Sequence, residues 1–145
     1  SSIRRRLPPR KLGDRCLSQL PLEVQNLPSA DTISLIDVLW FEAKSASVVA
    51  AFEVEHTTSV YSGILRLFDL ALSQSPSKSL RGLYLVAPDD REEDVRSQLS
   101  RPAFRSIGAL SARYLPYSEL EKHRESMARF GEGLKAIEAV ARSLI

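Results

Sequence analysis

Glu53 and Glu55 stand one residue apart in the stretch VVAAFEVEHTTSVYSG, residues 48–63. If the apolar run from Val48 to Phe52 leads into them as a strand, positions i and i+2 point the same way and both carboxylates share a face. Like charges side by side repel, so something positive must sit between them or one must hold a proton. Asp37 is a third acid, interrupting the β-branched and aromatic run TISLIDVLWFE (32–42) in mid-strand, where a charge is costly unless compensated. Pairing 33–41 with 48–55 as a hairpin brings Asp37 near Glu53. Three carboxylates converging at one end of a sheet suit a hard divalent cation with oxygen ligands. Mg²⁺ keeps several waters, and one of them can become a nucleophile. A plainer reading needs no ion: Asp37 caps a bulge, and Glu53 pairs with Arg66 or another arginine.

The neighbouring residues supply further candidates. His56 follows directly and can transfer a proton or touch phosphate, although a lone histidine after a strand also serves structure. Arg66 can supply positive charge beside the acids, with Glu53 or Asp69 as its structural partner. Ser59, Tyr61 and Ser62 can meet phosphate oxygens from a helix N-terminus, Tyr61 having packing against the sheet as its alternative. Arg101 and Arg105, around RPAF, extend a basic surface or stand solvated.

These groups need a frame. Residues 32–42 and 48–55 read as two strands joined by the turn AKSAS. A helix over about 58–74 starts at Thr58 or Ser59 and buries Val60, Ile64, Leu67 and Ala71. SQSPSKS is a loop, LRGLYLVAP (80–88) a third strand ended by Pro88, and 90–99 a helix with Asp89 and Asp90 at its positive end. SARYLPY (111–117) is a short fourth strand, and SELE from Ser118 matches a capping box. The helix it opens carries Met127, Phe130, Leu134, Ile137 and Val140 on one stripe, with Gly131 and Gly133 able to divide it. The order β-β-α-β-α-β-α implies an α/β fold, a mixed β-sheet of about four strands flanked by helices. No glycine-rich phosphate loop follows a strand, which argues against a nucleotide-binding fold.

The chain of 145 residues is long enough for one domain with its own core. Its single cysteine, Cys16, allows no internal disulfide and no cysteine-rich zinc site, which fits a reducing cytoplasm. No apolar run reaches the roughly 20 residues that cross a bilayer, so no membrane partner is expected. Prolines at 8, 9, 21 and 28 break residues 1–30 into irregular chain, and Arg4, Arg5, Arg6, Arg10 and Lys11 cluster there. That segment reads as a basic linker, or as a nucleic-acid-binding arm, ahead of a domain over 31–145. Such an opening suits the C-terminal part of a larger protein, whose upstream domain is then a partner.

LIDVLWF followed by VAAFEVEHTTSVYSGILRLFDL resembles the PD-(D/E)xK nuclease superfamily, the restriction-endonuclease-like fold, over roughly residues 32–117. The hallmark of that superfamily is an acid on one strand, (Asp/Glu)-x-Lys on the next, and then a helix. The resemblance implies Asp37 and Glu53 as the metal-binding pair for Mg²⁺ or Mn²⁺, assisted by the main-chain carbonyl of Val54. Glu55 occupies the lysine position, as it does in some restriction endonucleases, and there acts as a base or second metal ligand. Many members carry a further acid on a helix before the first strand, and no such helix is legible here. The expectation is a metal-dependent endonuclease domain acting on DNA, with Arg66 stabilising the phosphate charge. Cutting both strands needs two sites, which a homodimer provides. A catalytically silent module that binds nucleic acid or protein is the alternative, and a dimerisation domain using the final apolar stripe is a third.

Overall fold

The structure, a computed structural model, describes residues 17, 19–42, 45, 47–57, 59–74, 80–105, 112–130 and 133–145, without the side chains of 126–130 and 133. The basic cluster at 4–11, Cys16, Thr58, most of the SQSPSKS loop, and the side chains of Met127 and Phe130 therefore lie outside the described residues.

Two one-turn helices precede the first strand, α1 (Leu22–Gln25) and α2 (Ala30–Ile33). They correct the expectation of irregular chain to residue 30 followed by a strand from 32. Pro21 starts α1 because its carbonyl accepts from the N–H groups of Val24 and Gln25, at 3.0 and 3.1 Å, and its fixed φ suits a helix start. Ile33 and Ile36 are buried while Leu35 between them is 66% exposed, a helical spacing rather than strand alternation. Val24 and Ile33 anchor both turns in the core.

The sheet has four strands in the order β1 (Val38–Phe41), β2 (Val48–Val54), β3 (Gly82–Ala87) and β4 (Ala112–Pro116). β1 and β2 are antiparallel, whereas β2, β3 and β4 run parallel. Helices cover both sides, as expected of a mixed α/β sheet. Helix α3 (Val60–Ser73) starts from an N-cap at Ser59, whose hydroxyl oxygen accepts the Ser62 N–H at 3.3 Å. It lays Val60, Ile64, Leu67 and Phe68 on one sheet face against Leu39, Ala51, Leu83 and Leu85, where α4 (Glu92–Leu99) adds Val95 and Leu99. After the single turn α5 (Pro102–Arg105), the chain re-enters the sheet as β4 and then forms α6 (Tyr117–Phe130) and α7 (Gly133–Val140). On the opposite face Ala50, Phe52, Tyr84, Val86 and Leu115 pack against Ile137 and Ala141.

The start of α6 differs from the expected capping box. Asp89, from the far end of β3, accepts both the Ser118 N–H (3.0 Å) and the Ser118 hydroxyl. These bonds hold the Asp89 carboxyl below its ordinary range. The cap is thus tertiary, reaching across 29 residues of chain.

Tyr84 stacks on Phe52 with ring centroids 5.0 Å apart, yet its buried hydroxyl has no hydrogen-bond partner among the described residues. Leaving a hydroxyl buried and unpaired costs about 1 kcal/mol or more. Tyr84→Phe is therefore expected to stabilise the domain by about 1 kcal/mol, read as a melting temperature raised by about 3 °C. An unchanged or lower value would show that the hydroxyl is satisfied.

Candidate active site

The hairpin register builds the site. Val38 pairs with Phe52, so one step further Asp37 stands opposite Glu53. Residues 39 and 41 face α3, as 51 does, and alternation places Asp37, Glu53 and Glu55 on that same side. One oxygen from each of the three carboxylates lies within 4.8 Å of the others. Asp37 sits just before β1 and is exposed, not embedded in mid-strand as the sequence pattern suggests. It extends the ladder with its side chain: Asp37 Oδ2 accepts the Val54 N–H at 2.7 Å. On the other edge of β2, the Glu55 N–H donates to the Val86 carbonyl at 2.8 Å, which fixes the backbone between the two glutamates.

Burial differs sharply across the three acids. Glu53 is 0% exposed and Glu55 3%, while Asp37 opens to solvent. Among the described residues, the positive group between the glutamates is Arg66. Its Nε donates to Glu53 Oε1 at 2.9 Å, its Nη2 to Glu53 Oε2 at 2.8 Å, and Nη2 also reaches Glu55 Oε1 at 3.4 Å. Of the two partners expected for Arg66, the fork takes Glu53, 13 residues back. A planar guanidinium engaging both oxygens of one carboxylate is the strong form of this pairing.

One guanidinium does not neutralise three acids. With all of them ionised these four side chains carry a net charge of −2, which matches a divalent ion. The donor chemistry fits as well. Two ligands about 2.1 Å from a small divalent ion on opposite sides are about 4.2 Å apart, comparable to the span of these oxygens.

Burial pushes the Glu53 carboxyl up to about 6, against the pull of Arg66. Folding therefore favours its neutral form, from an ordinary value of 4.5. The associated stability is fully present below pH 4.5 and lost as pH rises through 6, an effect of about 2 kcal/mol. Glu53→Gln, which stays neutral, should accordingly gain about 2 kcal/mol relative to the native chain between pH 4.5 and 7. Urea unfolding at both pH values measures this, and a pH-independent difference would contradict it.

Gly63, the fourth residue of α3, was not anticipated from sequence. A Cβ there would lie 2.6 Å from Glu55 Oε1 and 3.3 Å from Glu53 Cβ. The helix can pass over the two glutamates only where it has no side chain. The available signal was a glycine inside an otherwise regular helical pattern, which costs about 1 kcal/mol against alanine and calls for a packing reason.

The remaining candidates lie around this centre. The His56 ring stacks on Tyr117, with centroids 6.0 Å apart and planes 6° from parallel, and it is not a member of the carboxylate cluster. Its carbonyl accepts from Arg91 Nη1 at 3.4 Å. Ser59 serves as the N-cap of α3, and Ser62 donates to it. Arg101 lies over the ring of exposed Tyr61, 4.8 Å from its centroid, and 6.0 Å from that of Phe104. Tyr61 therefore packs on Phe104 and Arg101 at the start of α3. Arg105 ends α5 and is exposed.

Among the described residues no helix is long and apolar enough to cross a membrane. No solved structure matches the chain. It is 32% identical over 120 residues to the Type II restriction enzyme NmeDI of Neisseria meningitidis serogroup C, a match that covers 76% of this chain and 33% of the relative. The chain thus spans about a third of the length of that curated relative. The model of a family described as the Type II restriction enzyme NmeDI C-terminal domain matches residues 10–140. A chain matched over nearly its whole length in this way belongs to the family of NmeDI-type restriction enzyme C-terminal domains.

Proposed function

We propose that this domain is the DNA-cleaving part of a restriction enzyme of the PD-(D/E)xK kind, hydrolysing phosphodiester bonds with a divalent cation. The observation that carries the reading is the convergence of Asp37, Glu53 and Glu55 at the end of a hairpin, with Arg66 beside them. Membership of a restriction enzyme family supports DNA as the substrate.

Asp37 and Glu53, with the main-chain carbonyl of Val54, would hold Mg²⁺ or Mn²⁺, which when bound supplies charge for the phosphate and acidifies water. Every other role falls to the chain. Glu55, buried and fixed through its own N–H, accepts the proton of the attacking water. Arg66 opposes the negative charge that grows on the phosphate oxygens. Ser59 and Ser62, at the N-terminus of α3, meet the neighbouring phosphate, where the helix dipole favours an anion. Arg101 and Arg105 extend the DNA track, with Arg101 held over the Tyr61 ring.

The bidentate Arg66–Glu53 pair favours a second reading, a silent module whose acids serve structure and whose surface binds nucleic acid. Conversion of supercoiled plasmid to nicked or linear form, with Mg²⁺, Mn²⁺ or chelator, separates the two. Metal-dependent cutting is expected. DNA binding that weakens with salt, with no cutting by the folded full-length enzyme, would establish the silent module.

A further inference from the structure

We infer that Arg66 is a built-in competitor for the divalent cation, closing the carboxylate cluster when no ion is bound and turning away from Glu53 when one binds. This inference rests on the cation site proposed above and adds an order of events to it.

The Arg66 fork uses both Glu53 oxygens at once, at 2.9 and 2.8 Å, and its Nη2 bridges to Glu55. It therefore occupies the space between two buried acids, and both oxygens of Glu53, the proposed ligand, are engaged by it. Each carboxylate oxygen retains one further acceptor direction, so Glu53 can hold a second positive centre. Two cations on one carboxylate nonetheless repel, and around the fully buried Glu53 the repulsion is less screened than in bulk water. Without the arginine, two nearly unexposed glutamates would face Asp37 with that positive charge gone from between them. The ion-free fold thus needs Arg66, and an incoming ion opposes it.

Arg66 can move aside more cheaply than the acids can. Its side chain remains 24% exposed, against 0% and 3% for the glutamates. Glu53 is held within β2 and Glu55 by its N–H bond to Val86, and a Cβ at Gly63 would already crowd both. Metal and guanidinium are therefore linked reciprocally: Arg66 weakens ion binding by the same factor by which the ion weakens the Arg66–Glu53 pair. An arginine released in this way becomes available to a phosphate only once the ion is in place.

Calorimetric titration with Mn²⁺, comparing the native chain with Arg66→Gln, tests the competition. The variant should bind Mn²⁺ about tenfold tighter, because removing a competing charge raises the ligand charge count. In parallel, the Arg66 Nε–H signal of the native chain is followed by NMR. It should be protected from solvent exchange without metal, then shift and lose protection at saturating Mg²⁺. Equal or weaker Mn²⁺ binding by Arg66→Gln, together with an Nε–H signal unmoved by Mg²⁺, would overturn the inference while leaving the cation site standing. Absence of Mn²⁺ binding by the folded native chain would remove both. Should Arg66→Gln fail to fold by circular dichroism, the native Nε–H signal decides alone.

Discussion

On the proposed cleavage role, Asp37→Asn and Glu53→Gln are each expected to lower metal-dependent plasmid cleavage by roughly a thousandfold, the rate equivalent of losing several kcal/mol of charge stabilisation. Both substitutions keep the shape of the side chain while removing its charge. In Asp37→Asn the amide oxygen can still accept the Val54 N–H that Asp37 takes at 2.7 Å, so the hairpin end survives. Glu53→Gln removes a fully buried charge, and its neutral amide still offers an oxygen to Arg66. Folding is therefore retained in both, and circular dichroism with urea unfolding documents it alongside the rates. Cleavage within tenfold of native in either variant would mean that the carboxylate in question holds no ion. Loss in Asp37→Asn alone would move the site to the exposed rim and leave Glu53 as the structural partner of Arg66.

The second large effect concerns stability. Gly63→Val is expected to destabilise the domain by about 3 kcal/mol, because branched bulk is driven into a space bounded by Glu55 Oε1 and Glu53 Cβ. That is a large share of a typical net stability of about 5–15 kcal/mol. Gly63→Ala is the more informative companion. Alanine gains about 1 kcal/mol of helix propensity and loses about 1–3 to overpacking, so it ends near or below native stability. In a Glu55→Ala background the nearest obstacle is gone, and the same Gly63→Ala should become stabilising by up to about 1 kcal/mol. A double-mutant cycle by urea unfolding reads the coupling between the two positions. Additive behaviour would show that helix and glutamate do not compete for this space.

Much of this frame was legible before any coordinates. The strands at 48–54, 82–87 and 112–116 and the helix at 60–73 follow from period and punctuation, because buried faces enforce both. The approach of Asp37 to Glu53 follows from a hairpin alone. Less was visible where tertiary contacts override local preference. The β-branched run from Thr32 to Ile36 reads as strand, yet Ile33 and Ile36 reach the core at helical spacing and shorten β1 to Val38–Phe41. The cap on α6 comes from Asp89, which no local pattern around Ser118 could announce. Arg66 had two carboxylates within plausible reach by sequence, and only the packing of α3 over β2 selects Glu53. Gly63 was readable as an anomaly, but what it makes room for was not.

The side-chain contacts that join the three acids to the hairpin and to Arg66 span short stretches of chain: 17 residues from Asp37 to Val54, 13 from Glu53 to Arg66 and 11 from Glu55 to Arg66. Short closures of this kind carry a small entropic penalty and form early relative to pairings that must wait for distant segments. One hairpin and one helix therefore make up a nearly self-contained cassette. The β3 and β4 strands and the helices after them supply its support, and their sequences can drift, accept insertions or acquire new recognition surfaces without replacing one of the three acids or the arginine.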